Sequence, residues 1–512
     1  MNDEDAVDRR AATGLEARGS TTSGAMAVFA GITLMTLCGL AVQDASASPL
    51  WEWGGGPTST PAYSGRLLAS GGDAAYFNPA RLADQQRGVA FGVTSLAARL
   101  HIEYDERPPG VDISDTIYDA RVTDEEGNRR PPSTRPLPTD ELPRQRGAAD
   151  PSFAHPYATI ATVLPVIEDR WVVGVYATTT VDRFAGQQPH YVDEREQYFS
   201  NSLHFERTGY RLVGAHFALA TGIRVIDELY VGIGATMAQD ATSDNEMFSP
   251  EPTDPSRSQT NTSVSIETRF VPHAGVEARP LDNTRLVATA HAPYANRVDG
   301  SAEIRFWNFP VGPDGEDVTE QQLTYLYDFE PWRIGVGAAQ SWDVGPGEVE
   351  AGAQVVYGRW SDYVDRQSER PADAWRDIWT PTLSGVYVDD DRSIGTDLRF
   401  APSPVPHQDG RSNYVDNSRW SMSASWTRAV DVFGVGLEAG LRAQFQWLVE
   451  QGADKSQDAD APVIDEFPES RHVDDDETIE ESTDFRTNNP GYPGFRAGGF
   501  AVGGGLTISS EF

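Results

Sequence analysis

The chain has 512 residues, 77 acidic against 41 basic side chains, a formal charge of −36 and one cysteine, Cys38. That balance argues against a nucleic-acid-binding face, and a lone cysteine excludes a disulfide framework or a multi-cysteine metal site. Residues 25–42 form the only long apolar run, which rules out a polytopic helical membrane protein.

That run, AMAVFAGITLMTLCGLAV, follows Arg9, Arg10 and Arg18 and precedes Ala45-Ser46-Ala47, a small-residue cleavage pattern. Residues 1–47 are therefore expected to be a Sec-type signal peptide, with an uncleaved membrane anchor as the rival reading. Residues 48–87 come next. They are rich in Gly, Ser and Ala and contain Gly71-Gly72-Asp73-Ala74-Ala75-Tyr76-Phe77-Asn78-Pro79-Ala80-Arg81-Leu82-Ala83. Asn78-Pro79 marks a tight turn, because Pro fixes φ and the Asn side chain can bond the backbone ahead.

From residue 88 onward the pattern has period two. Phe433, Val435, Leu437, Ala439, Leu441, Ala443, Phe445 and Trp447 share one face; Gly434, Gly436, Glu438, Gly440, Arg442, Gln444 and Gln446 share the other. Alternation this long exceeds a globular strand and suits a bilayer-crossing one, which needs ~9–11 residues. Fourteen such runs are expected, at about 88–104, 153–167, 171–184, 205–222, 229–240, 264–280, 284–306, 323–343, 347–363, 375–388, 392–402, 418–430, 433–449 and 495–512, to within roughly 2–4 residues at each end. Connections after even strands are short (Ile167–Arg170, Ile223–Glu228, Leu281–Asn283, Val344–Pro346, Asp389–Asp391, Asp431–Val432); those after odd strands are mostly long, above all 105–152 and 450–494. Short turns on one rim and long loops on the other predict an all-β, 14-stranded antiparallel transmembrane β-barrel over 88–512, with periplasmic turns and both termini periplasmic. Lipid cannot satisfy an open sheet edge, so the strands must close on themselves. Trp171, Trp332, Trp342, Trp420, Trp426, Phe433 and Trp447 lie near strand ends, as interfacial girdles require.

Thirteen acids between Asp454 and Asp484 face only Lys455 and Arg471. A solvated, self-repelling external loop is the favoured reading, with divalent-cation bridging to lipopolysaccharide as the alternative. No His-Glu-x-x-His or Gly-x-Ser-x-Gly motif is present, so neither an enzyme nor a cofactor or metal centre is expected.

A D-A-A-x-x-N-P-A-x-L-A stretch ahead of strands that run to a terminal Phe512 resembles the FadL/TodX family of outer-membrane transporters for long-chain fatty acids and other hydrophobic compounds. His291-Ala292-Pro293-Tyr294 resembles the family's Tyr-x-x-Pro strand, with His291 in place of the first Tyr. Trp360-Ser361-Asp362, Ala401-Pro402-Ser403-Pro404-Val405-Pro406 and Asp416-Asn417-Ser418-Arg419-Trp420 follow in the family's order. The long acidic loops are departures that leave the substrate open.

The resemblance implies an exported outer-membrane protein of a Gram-negative bacterium with residues 48–87 as a hatch, or plug, inside the lumen. It implies passive transport: capture of a hydrophobic small molecule at the outer mouth, hatch rearrangement, and diffusion through the barrel or a wall gap near the third strand, where Gly174 is the residue of interest. Outer-membrane lipid, lipopolysaccharide and, through Phe512, the barrel assembly machinery are the remaining partners. Asn78, Pro79 and Ala80 are expected to hold the closed hatch, and Tyr76 and Phe77 either to line an internal site or to pack the hatch on the wall. Arg66, Arg81 and Arg87 are placed to pair with lumen acids or to meet a substrate carboxylate. A general porin or structural barrel, or a surface adhesin, are the alternative functions.

Overall fold

In the computed structural model the described residues are 49–104, 148–149, 152–182, 204–249, 259–306, 318–408, 414–454 and 494–512, apart from 57, 59, 60, 366, 367, 369 and 372. The expected signal peptide and most of both long acidic loops lie outside them.

Fourteen strands follow one another round a closed wall: β1 Gly88–Tyr104, β2 Ser152–Ile167, β3 Trp171–Thr180, β4 Ala215–Ile226, β5 Leu229–Ser249, β6 Gln259–Leu281, β7 Thr284–His291 with Tyr294–Phe306, β8 Val318–Glu330 with Arg333–Val344, β9 Gly347–Gly358, β10 Ile378–Val388, β11 Arg392–Ala401, β12 Arg419–Val432, β13 Val435–Asp454 and β14 Gly494–Glu511. β1 pairs with β2 on one side and with β14 on the other, from Gly88↔Glu511 to Tyr104↔Phe495, which closes the sheet. The expected barrel is the observed one.

The pleat sorts the side chains as the alternation requires. Val435, Leu441, Phe445 and Trp447 of β13 are exposed, as are Phe91 and Val93 of β1 and Val502, Leu506 and Ile508 of β14. Outward exposure of this many large apolar groups identifies a lipid-facing surface. Register joins the long-loop girdle: Phe400 pairs with Trp420, Trp420 with Trp447 and Trp447 with Phe500, one aromatic row across four strands. Trp171, Trp342 and Phe433 mark the opposite rim. From Val435 to Trp447 is about 40 Å of strand, or about 28 Å of height at a tilt near 45°, close to the ~25 Å apolar band of such barrels.

The structure corrects three local expectations. The fourth strand begins at Ala215, because residues 209–212 form a 3₁₀ turn in which Arg211 donates to Glu206 (2.5 Å). The hairpin between β12 and β13 turns at Phe433-Gly434, not Asp431–Val432. Both turn residues have positive φ (58° and 80°), the twist that a two-residue hairpin favours, and Asp431 accepts from the Gly434 N–H. Third, the pairing is not antiparallel throughout. Pro272 lies in β6, and Pro293 and Pro331 break β7 and β8 at the same level. Proline cannot donate to a ladder. β6 and β7 part above His273↔His291, and the second segment of β7 pairs in parallel with β5, from Ala241↔Val298 to Ser249↔Phe306.

Inside the wall lies the leading segment: α1 Pro49–Gly54, α2 Gly65–Leu68, α3 Ala74–Phe77 and a 3₁₀ turn, Pro79–Asp84. Its Trp51, Leu67, Ala75, Phe77 and Leu82 are buried, and the largest apolar cluster joins it to inward residues of β1–β4 and β14.

Candidate functional site: the plug and the outer cavity

The two halves of the leading segment meet the wall differently. Residues 74–84 sit in a socket of glycines. Gly222, Gly232 and Gly275 are direct cross-strand neighbours on β4, β5 and β6. A Cβ on Gly222 or Gly232 would overlap the Pro79 backbone, and one on Gly275 would overlap the Asn78 carboxamide. Only bare backbone lets the 3₁₀ turn lie this close. Asn78 caps that turn: its side chain accepts from Ala80 N (3.2 Å) and donates to the Arg66 carbonyl (2.9 Å). His273 Nε2 lies 2.7 Å from the Ala75 carbonyl.

An ionic cluster lies beside the socket. Arg81 reaches the fully buried Glu277 of β6 (3.0 Å), which also meets Arg279 (2.7 Å) and Arg285 (3.3 Å); Arg279 in turn holds Asp84 (2.6 Å).

Helix α1 is held by long wall side chains reaching its free carbonyls, the groups that a helix C-terminus leaves unbonded. Arg399 donates to the carbonyls of Glu52 (2.6 Å) and Trp53 (3.2 Å), Gln446 to Trp53 (3.0 Å), and Arg442 to Gly54 (2.6 Å) and Gly56. A latch joins α1 to the rest of the plug: Glu52 pairs with Arg66 (2.5 Å) and accepts from the Tyr76 hydroxyl (2.8 Å). Burial alone would raise the Glu52 pKa, but Arg66 and Arg333 outweigh it and hold the carboxyl far below its ordinary range.

Cavities lie on both sides of α1. One, with about 30 Å³ of free space, is lined by Leu50, Trp51, Leu96, Tyr157, Thr178 and Arg442. The other, with about 60 Å³, lies toward the long loops and is lined by Glu52, Trp53, Arg207, Trp360, Arg399 and Arg419 among others. Both are far smaller than the roughly 540 Å³ recess at the short-turn rim between β10 and β14. At plug level, among the described residues, these cavities leave room for water or a small head group.

The outer cavity draws the late motifs together. Trp360 and Val405 belong to one aromatic cluster with Tyr363 and Trp375, whose rings stack at 3.8 Å. Asp416 binds Arg207 (2.7 Å), whose guanidinium lies 4.8 Å from the Trp360 ring centre. Asn417 donates to the carbonyls of Val449 and Ala497. Arg419 points at the Trp53 ring (5.2 Å), and its Nε and Nη1 have no hydrogen-bond partner among the described residues.

Tyr76 is buried between Trp51 (4.5 Å) and His291 (5.0 Å), and His291 stacks on His273. Phe77 lies under Gly65, where a Cβ would meet its ring at 2.6 Å. Neither lines the cavities described above. Arg66 pairs within the plug and Arg81 with the wall; Arg87 contributes its carbonyl to Phe512 N (3.0 Å). At Gly174 the ladder is continuous on both sides, to Val163 and to Ala220, and a Cβ there would strike Leu82 at 2.5 Å. The residues whose roles sequence reading missed are Arg399, Arg442 and Glu277, whose only signal was a charge on the polar face of a strand; Arg419 stood in the Asp416–Trp420 motif without a role assigned to it.

The barrel superposes on the crystal structure of a Pseudomonas aeruginosa FadL homologue over 92% of this chain and 100% of that one, with TM-score 0.53 and 15% identity. The Pseudomonas putida toluene transporter TodX matches over 88% and 97% (TM-score 0.45, 11% identity), and the Ralstonia pickettii toluene transporter TbuX over 92% and 99% (TM-score 0.40, 10% identity). No family model and no curated protein matches the sequence. The chain is a fourteen-stranded transmembrane β-barrel. It shares the fold of the FadL homologue.

Proposed function

We propose that this chain is an outer-membrane passive transporter of hydrophobic compounds in a Gram-negative bacterium, with long-chain fatty acids as the foremost substrate. Residues 1–47 are its signal peptide, 48–87 its hatch, and Phe512 its signal to the assembly machinery. The apolar tail is captured among the aromatic side chains of the outer mouth, at about 25 cal/mol per Å² buried. The observation that carries the reading is Arg419: a buried guanidinium with unpartnered N–H groups beside an aromatic cluster is the chemistry that holds a carboxylate with a greasy tail. The substrate moves down its gradient once the hatch rearranges. It leaves along the axis or through the wall, and a sideways exit at Gly174 requires Leu82 to withdraw.

Oleate uptake by a host lacking its own fatty-acid transporter tests the proposal. Expression of the chain is expected to restore uptake, and Arg419→Gln to weaken oleate binding by about tenfold, the worth of one charge-assisted hydrogen bond. Uptake no better than in the empty host would contradict the assignment.

A further inference from the structure

Helix α1 is the partition between two cavities. Leu50, Trp51, Gly54 and Gly55 line the inner one, and Glu52 and Trp53 line the outer one. A molecule crossing directly from one cavity to the other would displace α1. The remainder of the plug is seated otherwise. Residues 74–84 lie backbone against glycine on three adjacent strands, with Arg81 bound to a fully buried carboxylate. Shifting that half would pull backbone from backbone and strand a charge; shifting α1 breaks hydrogen bonds from flexible wall side chains, unseats Trp51 and Trp53 and parts Glu52 from Arg66.

Arg399 belongs to both the partition and the outer cavity. Its two terminal nitrogens hold the α1 carbonyls of Glu52 and Trp53. Its guanidinium lies 4.1 Å from the Tyr63 ring centre, and its Nε has no hydrogen-bond partner among the described residues. Arg419 lies on the same inward face of the neighbouring strand, opposite Ala401 and two residues along from Arg399. The acids nearby are engaged: Glu52 with Arg66, Glu330 with Arg333, Asp416 with Arg207, and Asp397 with Tyr63 N and Ser64. An anionic head group in the outer cavity would meet two guanidiniums that lack a carboxylate partner, and one of them is the clasp on α1. A carboxylate is a stronger acceptor than a backbone carbonyl.

From this we infer that Arg399 couples the outer cavity to the plug. It holds α1 closed through the Glu52 and Trp53 carbonyls, and an anionic head group draws it away, freeing α1 while residues 74–84 stay in their socket. The trigger rests on the transport reading above; the clasp does not. Because ligand binding shifts a two-state element only through differential affinity, an uncharged analogue of equal length does not open α1.

The full-length chain in a Cys38→Ser background allows a direct test. Leu96→Cys reports on the inner cavity behind α1, and Ala220→Cys on the wall near Leu82 and Ala75. Labelling rates with a membrane-impermeant maleimide are measured on intact cells, with folding checked by heat-modifiable gel migration. Oleate is expected to speed Leu96→Cys labelling about tenfold, as loss of charged hydrogen bonds implies, while hexadecanol leaves it slow and Ala220→Cys stays slow throughout. Arg399→Gln is expected to speed Leu96→Cys labelling without any ligand and to remove the response to oleate. Unchanged slow labelling in Arg399→Gln overturns the clasp, and equal acceleration at Ala220→Cys overturns the division of the plug. If Arg399→Gln frees α1 but oleate does nothing to the parent protein, the clasp stands and the fatty-acid reading falls.

Discussion

The Arg81 guanidinium lies 3.0 Å from the Glu277 carboxylate, a plug residue and a wall residue 196 positions apart, and both are buried. Removing one member of such a pair leaves a charge in a dry site, at about 3–5 kcal/mol. Glu277→Ala also takes one carboxylate from Arg279 and Arg285, which keep Asp84 and Glu350. Denaturant unfolding of the protein in lipid vesicles should show a loss of this size, and a loss below about 1 kcal/mol would mean the cluster is solvated.

The glycine socket predicts a position-specific intolerance. Gly232→Val forces a side chain into the Pro79–Ala80 peptide, an overpacking cost of about 1–3 kcal/mol that the plug relieves by leaving its seat. Cells carrying it should become sensitive to vancomycin. Gly385→Ala is the control: its added methyl meets nothing within 4 Å and should change nothing.

Glu52 gives a pH dependence with a defined sign. Burial opposes its ionisation, yet Arg66 and Arg333 depress its pKa far below the unfolded value of about 4.3. A depressed acid contributes its full stabilisation above the unfolded pKa and loses it as pH falls toward the folded one. The latch to Arg66 is therefore expected to hold unchanged from pH 8 to about pH 5 and to loosen only below about pH 4. Channel recordings across that range check this, and opening between pH 6 and 7 would assign the latch to another group.

Lipid exposure is tested at Leu441, midway between Val435 and Trp447 on the outward face. Leu441→Arg should cost about 2–4 kcal/mol of folding stability in vesicles, the depth-dependent penalty for a charge at the bilayer centre. Its neighbour Arg442 already carries that charge at no such cost, because it points inward to Gly54 and Gly56.

Much of this architecture was legible in the order of residues. Alternation is a local property, so it located all fourteen strands, the faces of β13 and the short-turn rim. The Asn78-Pro79 turn was legible for the same reason. Proline breaks were visible as residues, but not their effect. That Pro272, Pro293 and Pro331 fall at one level depends on register between strands, which a single sequence does not display. The site was the least legible part. Arg399 meets Trp53 across 346 positions and Arg442 meets Gly54 across 388, and an arginine on a polar strand face looks the same whether it meets water or a helix end.

Planar-bilayer recording of the intact chain, purified in detergent and refolded, bears most directly on the account of a lipid-facing barrel stoppered by its own leading segment. The protein is expected to insert into the bilayer and show a closed baseline, with none of the large steady steps of an open porin. Failure to insert, or a steady open-pore conductance from the unmodified chain, would contradict it.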